Sequence, residues 1–418
     1  MDKIRVAGGR RLSGKVRIGG AKNAALPAMA ASLLTAEPIH LSNLPDVWDV
    51  GTMRQLLLRL GTSATQRSLH EISLTTDSFS SHDAPYELVK TMRASVLVLG
   101  PLLARHGRAR VSLPGGCAIG ARPIDQHVAG LEKLGARITL AHGFVDAETD
   151  GLRGTSLRFD HVTVGGTENL LMAACLARGE TILDNCAREP EIVDLAALLT
   201  RMGANIEGAG TERITIEGVE RLHGARHSIL PDRIEAATYL VAGALMGDDV
   251  ELRGCRPEHL ETFSESLRTV GVPIERDGDS IRVQSADRGL KGLDIETAPY
   301  PGFATDMQAQ LMVLLTQAHA DSRIVETIFE NRFMHVAELG RMGARVELHG
   351  NHATIHGPTP LSGAKVMATD LRASACLVLA GLVAEGETVI DRVYHIDRGY
   401  EHIEEKFAGL GADVERVV

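Results

Sequence analysis

Apolar and polar positions repeat along this chain at a long and regular interval. An apolar residue followed by Gly, and usually then Ala, recurs at Leu60-Gly61, Leu134-Gly135, Met202-Gly203, Val270-Gly271, Met342-Gly343 and Leu410-Gly411, at spacings of 74, 68, 68, 72 and 68 residues. Each pair follows a stretch with helical spacing of apolar positions, such as residues 128–134, and precedes a strand-like one, such as Arg137-Ile138-Thr139-Leu140. The glycine is therefore expected as a left-handed helix C-cap. A second helix signature has a similar period, with small and apolar stretches opening near Lys22, Arg93, Glu168, Arg233, Met307 and Arg372. Most are followed by a strand, as in Thr181-Ile182-Leu183 and Thr388-Val389-Ile390.

Six units of roughly 70 residues account for nearly the whole chain, each with two helices and several short strands. Three units per lobe gives two lobes. The lobe change is expected near Ile229-Leu230-Pro231-Asp232, where a strand gives way to a Pro-Asp helix start. The domains read as 22–229 for the first lobe and 1–21 with 230–418 for the second, which takes in a first strand at about residues 3–18.

Composition narrows the class. With 44% hydrophobic and 23% charged residues the 418-residue chain is globular, and with 3% aromatics Val, Leu, Ile and Ala must fill the core. A net charge of -10 disfavours a general nucleic-acid partner, which needs a basic face. The longest apolar runs, near residues 94–104 and 236–246, are about half of the roughly 20 residues a membrane helix needs. Arg10, Arg11, Lys15 and Arg17 are not followed by an apolar stretch, so a soluble cytoplasmic protein without a membrane partner is expected. The five cysteines, Cys117, Cys175, Cys186, Cys255 and Cys376, include no CxxC pair, which disfavours a disulfide framework and a zinc site.

Charge collects at helix starts. Asp232, Asp306 and Asp370 suit capping, but Lys22, Arg93, Arg233 and Arg372 oppose the helix macrodipole unless an anion joins them. Repeated at equivalent places, they predict a site for a multiply charged ligand. The segment Pro114-Gly115-Gly116-Cys117-Ala118-Ile119-Gly120-Ala121-Arg122-Pro123 holds a thiol among glycines beside an arginine, the setting of a reactive cysteine, whereas Cys175 and Cys376 read as core. It is not a P-loop, because Ala121-Arg122 stands where phosphate and magnesium binding needs Lys-Ser/Thr.

Nine motifs, in order, resemble the enolpyruvyl transferases that act on UDP-N-acetylglucosamine. They are Lys22-Asn23 within Gly-Ala-Lys-Asn-Ala, Lys90-Thr91-Met92-Arg93-Ala94-Ser95, Leu113-Pro114-Gly115-Gly116-Cys117, Gly120-Ala121-Arg122-Pro123, Ala187-Arg188-Glu189-Pro190-Glu191, Thr305-Asp306-Met307-Gln308-Ala309-Gln310, Phe329-Glu330-Asn331-Arg332-Phe333-Met334-His335, Thr369-Asp370-Leu371-Arg372-Ala373 and His395-Ile396-Asp397-Arg398-Gly399-Tyr400. The resemblance implies two inside-out α/β barrel lobes, each of three βαβαββ units with helices inside and sheets outside, and an active site in the cleft between them. It implies transfer of the enolpyruvyl group of phosphoenolpyruvate to the 3′-hydroxyl of UDP-N-acetylglucosamine, the first committed step of peptidoglycan synthesis, with no metal or organic cofactor. Cys117 becomes the proton donor and the target of the epoxide antibiotic fosfomycin, and Asp306 the carboxylate beside the attacking hydroxyl. Cys117, Asp306, Lys22 and Arg398 are thus the catalytic set. Phosphoenolpyruvate falls to Lys22, Asn23, Arg93, Arg122, Arg372 and Arg398. The sugar nucleotide falls to Asn23, Arg93, Arg122, Pro123, Ile124, Asp125, Gln126, His161, Thr163, Val164, Gly165, Asp306 and Ile328. His161 stands where many members have lysine, Gly19 where serine is common and Ala304 where proline is usual. The sister shikimate 3-phosphate enolpyruvyl transferases lack the Pro-Gly-Gly-Cys loop, and a non-catalytic six-repeat scaffold would not need cations confined to particular motifs.

Overall fold

The computed structural model describes residues 2–90, 92–113, 124–286 and 289–417. Among them six sheets form, each of four strands with the same order. The repeat is plainest where Ser156–Arg158 leads into the helix Val164–Ala174, then the strand Glu180–Asp184, the helix Pro190–Arg201 and the hairpin Asn205–Glu207 with Arg213–Glu217. Ser156–Arg158 runs parallel to Glu180–Asp184, which pairs antiparallel with Arg213–Glu217 in a register that sets Leu183 opposite Ile214. That is a βαβαββ unit.

Helices lie inside and sheets outside because of where the apolar residues fall. Gln308–Thr316 is buried along its whole length, as are Ala375–Leu382 of the helix Ala375–Val383 and Arg233–Ala244 of the helix Arg233–Met246. A helix apolar all round has no face to give to water. Strands such as Glu180–Asp184 and Arg213–Glu217 alternate buried with exposed or half-buried positions, the pattern of a sheet covered on one side.

The chain divides at Gly19/Gly20 and Leu230/Pro231 into two compact units with separate hydrophobic cores. Each closes on itself. In the unit that begins at Gly20, Ala225–Ser228 returns to run parallel to Ile39–Ser42. In the other, Leu12–Arg17 runs parallel to Gly247–Arg253, and Lys3–Ala7 inserts between Glu387–Asp391 and Asp413–Val417. The single first strand expected at residues 3–18 is therefore two strands in two sheets. The break falls at Gly8-Gly9, where a Cβ on Gly8 would meet the Ala384 carbonyl oxygen at 2.0 Å and Gly9 has φ +88°.

All six repeat glycines have left-handed backbone, with φ of 112° at Gly61, 97° at Gly135, 100° at Gly203 and Gly271, 96° at Gly343 and 95° at Gly411. Two expected helix starts move. The helix expected to open at Glu168 begins at Val164, because the Thr163 side chain caps it by accepting the Gly166 N–H. The one expected at Arg372 begins at Ala375, since Asp370 Oδ1 first takes the N–H groups of Arg372 and Ala373 in a turn. Arg93 and Met307 lie in 3-10 turns, Arg93–Val98 and Thr305–Met307, that run on into α-helices. No helix among the described residues is long and apolar enough to cross a membrane.

Candidate functional site

Candidate residues occur in both units. In the unit from Gly20 to Leu230, Lys22 is the first residue of the helix Lys22–Ala30 and only 7% exposed. The chain enters it at Gly20, where a Cβ would lie 1.7 Å from the Asn43 carbonyl oxygen, so only glycine allows the approach. Among the described residues no side chain caps this helix, and Lys22 Nζ lies 3.3 Å from Asp49 Oδ2 in the first turn of the helix Trp48–Leu60. Part of the anion that the helix-start cation demands is thus a protein carboxylate. A second buried acid, Glu168, stands near it. Burial, then Glu191 and Glu189, hold its carboxyl well above the usual range, while Lys22 pulls the other way. Asn23 and Arg93 are half-buried.

Ile124, Asp125 and Gln126 open the helix Asp125–Lys133. Asp125 is exposed and Gln126 buried. Gln126 Oε1 accepts the N–H groups of Asp160 (2.7 Å) and His161 (3.4 Å), and its Nε2 donates to the His161 carbonyl (3.2 Å). This amide joins the Ile124–Gln126 stretch to the loop leading to Thr163, Val164 and Gly165, two groups about 35 residues apart that the resemblance assigns to one ligand. His161 itself is exposed. Cys117, Arg122 and Pro123 lie outside the described residues.

In the other unit, Asp306 sits half-buried in the turn Thr305–Met307, and Arg332, 3% exposed, donates from Nη2 to its Oδ1 at 2.6 Å. Burial opposes the Arg332 charge, but Asp306 and Asp370 outweigh it and raise its pKa. Glu326 braces the same turn: it accepts from Thr305 Oγ1 (2.8 Å), Thr297 Oγ1 (3.0 Å) and the N–H groups of Ile328 (2.8 Å) and Phe329 (3.2 Å). Asp306 and Ile328 are thereby held by one buried carboxylate. Arg372 is 2% exposed, with Nη1 on the Gly399 carbonyl (2.8 Å) and Nη2 on Asp232 Oδ2 (2.7 Å). Its charge persists because Asp232 offsets the burial. A Cβ on Gly399 would meet Leu371 Cδ1 at 2.3 Å, so a larger residue there would have to displace the Leu371 side chain beside Arg372. Arg398, one residue before, is half-buried.

The structure adds pairings that no local pattern announced: Asp49 against Lys22, Arg332 against Asp306, Asp232, itself expected as a cap, against Arg372, and Glu326 under the Asp306 turn. Arg332 lay in a recognised motif without a role. Among the described residues no group of three or more His, Cys, Asp or Glu is placed to hold a metal ion.

Comparison with known proteins gives the frame for these clusters. The family model for EPSP synthase (3-phosphoshikimate 1-carboxyvinyltransferase) matches residues 6–407. The chain is 59% identical over 420 residues, all of this chain and 97% of the relative, to the UDP-N-acetylglucosamine 1-carboxyvinyltransferase of Koribacter versatilis (strain Ellin345). It is 57% identical over 419 residues, 100% of both, to the protein of the same name from Solibacter usitatus (strain Ellin6076). Among solved structures, the enolpyruvyl transferase NikO from Streptomyces tendae is similar with a TM-score of 0.91 at 26% identity, covering 100% of this chain and 99% of that one. The chain therefore belongs to the enolpyruvyl transferase family, in the branch of the UDP-N-acetylglucosamine 1-carboxyvinyltransferases.

Proposed function

We propose that this protein transfers the enolpyruvyl group of phosphoenolpyruvate to the 3′-hydroxyl of UDP-N-acetylglucosamine and releases phosphate, opening peptidoglycan synthesis in the cytoplasm. The observation that carries the reading is identity of 56 to 59% over the whole chain with relatives that bear this activity's name. The charge clusters support it.

Phosphoenolpyruvate brings a carboxylate and a phosphate, and the cations assigned to it are Lys22, Arg93 and Arg122 with Arg372 and Arg398. In the addition step a proton reaches the methylene carbon from Cys117, the sugar oxygen bonds to the neighbouring carbon, and the hydroxyl proton passes to Asp306. In the elimination step the carbon–oxygen bond to phosphate breaks, the proton held by Asp306 leaves with the phosphate, a proton passes from the new methyl group back to the Cys117 thiolate and the double bond reforms. Arg332 orients Asp306 by a charge-assisted bond on one oxygen. Asn23, Arg93, Arg122 to Gln126, His161 to Gly165 and Ile328 take the nucleotide sugar.

Phosphate release from phosphoenolpyruvate is the test, run with UDP-N-acetylglucosamine and separately with shikimate 3-phosphate. Release only with the nucleotide sugar is expected. Release with shikimate 3-phosphate, or with neither, overturns the assignment.

A further inference from the structure

Three of the four residues from Asp397 to Tyr400 are tied to distant parts of their own unit, and the residue they enclose is Arg398. Tyr400, 2% exposed, shares a hydrogen bond with Thr238 Oγ1 at 2.8 Å and accepts from Gln310 Nε2 at 3.1 Å. The Gly399 carbonyl accepts from Arg372 Nη1 at 2.8 Å. The backbone here is a run of turns: the Gly399 and Tyr400 N–H groups return to the Ile396 carbonyl, and the Asp397 N–H returns to that of Val393. The third tie is a guanidinium from the last strand.

Arg416 stands in the strand Asp413–Val417, opposite Ile4 in the strand Lys3–Ala7. Its Nη2 donates to Asp397 Oδ1 at 2.7 Å and its Nη1 to Oδ2 at 3.1 Å, so both carboxylate oxygens are taken. Nε donates to Glu404 Oε1 at 2.7 Å and Nη2 to Oε2 at 3.2 Å, which takes a second carboxylate on the helix Ile403–Gly409. Asp2, exposed, lies farther off at 3.7 Å. An exposed ion pair of this kind would contribute little. This one is different: the Glu404 and Asp397 side chains keep only 8% and 17% of their exposure, and one planar fork meets both carboxylates edge on, which a lysine cannot do. Without the cation the two carboxylates would repel each other.

The consequence reaches the next residue. A guanidinium at the end of a long side chain magnifies any tilt of the turn that carries it, and a small misplacement of a group that holds a substrate is costly. We propose that Arg416 is a positioning residue for Arg398: through Asp397 it sets the turn from which Arg398 meets phosphoenolpyruvate. This rests on the reading of phosphoenolpyruvate as substrate and adds a residue to it. Arg398 is then fixed on both sides by a guanidinium, by Arg416 through the side chain before it and by Arg372 through the carbonyl after it.

The two arms of the fork separate positioning from stability. Asp397→Asn keeps the shape of the side chain but removes its charge and turns an NH2 toward a guanidinium N–H, so the arm to the turn loosens. Glu404→Gln does the same to the arm on the helix and leaves the Asp397 bonds in place. Phosphate release at saturating UDP-N-acetylglucosamine gives kcat/KM for phosphoenolpyruvate, calorimetry gives binding of the nucleotide sugar, and urea midpoints give the stability of each full-length variant. Asp397→Asn should lower kcat/KM for phosphoenolpyruvate at least about tenfold and leave nucleotide-sugar binding within about twofold. Glu404→Gln should keep both within about twofold even where its urea midpoint falls as far. Arg416→Lys keeps a charge between the carboxylates but loses the fork, and should reproduce the Asp397→Asn pattern. If Asp397→Asn does not fold, Arg416→Lys against Glu404→Gln decides by the same comparison. Unchanged kcat/KM in Asp397→Asn or Arg416→Lys, an equal loss in Glu404→Gln, or an equal loss of nucleotide-sugar affinity overturns the proposal. An unaltered protein that releases no phosphate overturns the functional reading itself, whereas an active protein with an unaffected Asp397→Asn variant overturns this proposal alone.

Discussion

The two units are built from the same repeat yet hold their buried charge in different ways. From Gly20 to Leu230 the cation buried among the described residues is a lysine, set 3.3 Å from Asp49, with Glu168 and Glu191 buried nearby. In the other unit the cations are arginines locked at 2.6 Å to Asp306 and 2.7 Å to Asp232. An ammonium on a flexible stem is a point charge that can turn to another anion, while a guanidinium fork fixes the geometry of what it touches. Bonds between ionised partners usually run about 2.7 to 2.9 Å, so the Lys22 contact is long and the arginine contacts are tight. One unit offers a cation that can change partners. The other supplies a rigid frame for a carboxylate.

Thiol chemistry gives the largest contrast. Cys175 and Cys186 in one unit and Cys255 and Cys376 in the other are all buried. Burial pushes the thiols up to about 12 at Cys175 and Cys186, to about 11 at Cys255, and well above the ordinary value at Cys376. At pH 8 about one in a thousand or fewer would be thiolate. Fosfomycin should therefore label Cys117 alone, and Cys117→Ser should abolish labelling. Peptide mapping that finds an adduct on Cys186 or Cys255 would place the reactive thiol elsewhere.

Next comes the difference between locked and exchangeable cations. Arg372→Met strands Asp232 in the core, and breaking a buried pair by removing one partner costs about 3 to 5 kcal/mol. Lys22→Met leaves Asp49 just as buried, but it breaks a longer contact of 3.3 Å, so its stability loss should be the smaller of the two, while phosphoenolpyruvate binding falls by about 1.5 to 3 kcal/mol. Urea midpoints and the KM for phosphoenolpyruvate separate the two effects. Equal stability losses would erase the contrast.

Acid should expose one histidine in each unit. His127 and His335 are both pushed from the ordinary value near 6.5 down to about 4, by burial first, with Arg93 adding at His127 and Arg332 at His335. The unfolded chain then binds the proton that the folded one refuses. Their stability contribution is complete above pH 6.5 and is lost as pH falls toward 4, at up to about 1.4 kcal/mol per pH unit for each. Carboxyls raised by burial, such as Glu168 and Glu235, slope the other way, so the test is a difference: unfolding at pH 7 and pH 5 should show less acid loss in His127→Gln and in His335→Gln than in the unaltered protein. Identical pH slopes would refute the buried neutral histidines.

What the sequence disclosed and what it hid divide along physical lines. A left-handed φ nearly demands glycine, so the six repeat glycines marked six helix ends with nothing else known. Apolar period and small residues likewise marked the helices of the core. Helix starts at Val164 and Ala375 were misplaced by a few residues because Thr163 and Asp370 set them through side-chain bonds that many sequences could mimic. The chain closure by Lys3–Ala7, Leu12–Arg17 and Ala225–Ser228 is a tertiary event. Motifs identified Lys22 and Asp306, but Asp49 is 27 residues from Lys22, Arg332 is 26 from Asp306 and Asn169 is 42 from His127. A partner delivered across such a distance by packing leaves no periodicity to read.

The smallest expected effect compares the two histidines directly. Both are buried and neutral, but His127 has its Nδ1 satisfied by Asn169, whereas neither ring nitrogen of His335 makes a hydrogen bond of good geometry among the described residues, and only the Arg332 backbone offers it a weak one. Leaving a polar group buried and unpaired costs free energy, and replacing it with an apolar side chain of similar size removes that cost. His335→Leu at pH 7 should therefore be neutral or stabilise its unit by up to about 1 kcal/mol, set against some loss of ring packing with Phe333 at 6.4 Å. His127→Leu does the opposite, because it takes the acceptor from an Asn169 N–H that stays buried, a cost of about 1 to 3 kcal/mol. Thermal unfolding of the two variants side by side decides. If His335→Leu destabilises as much as His127→Leu, then His335 has a partner in solution and the two histidines are equivalent.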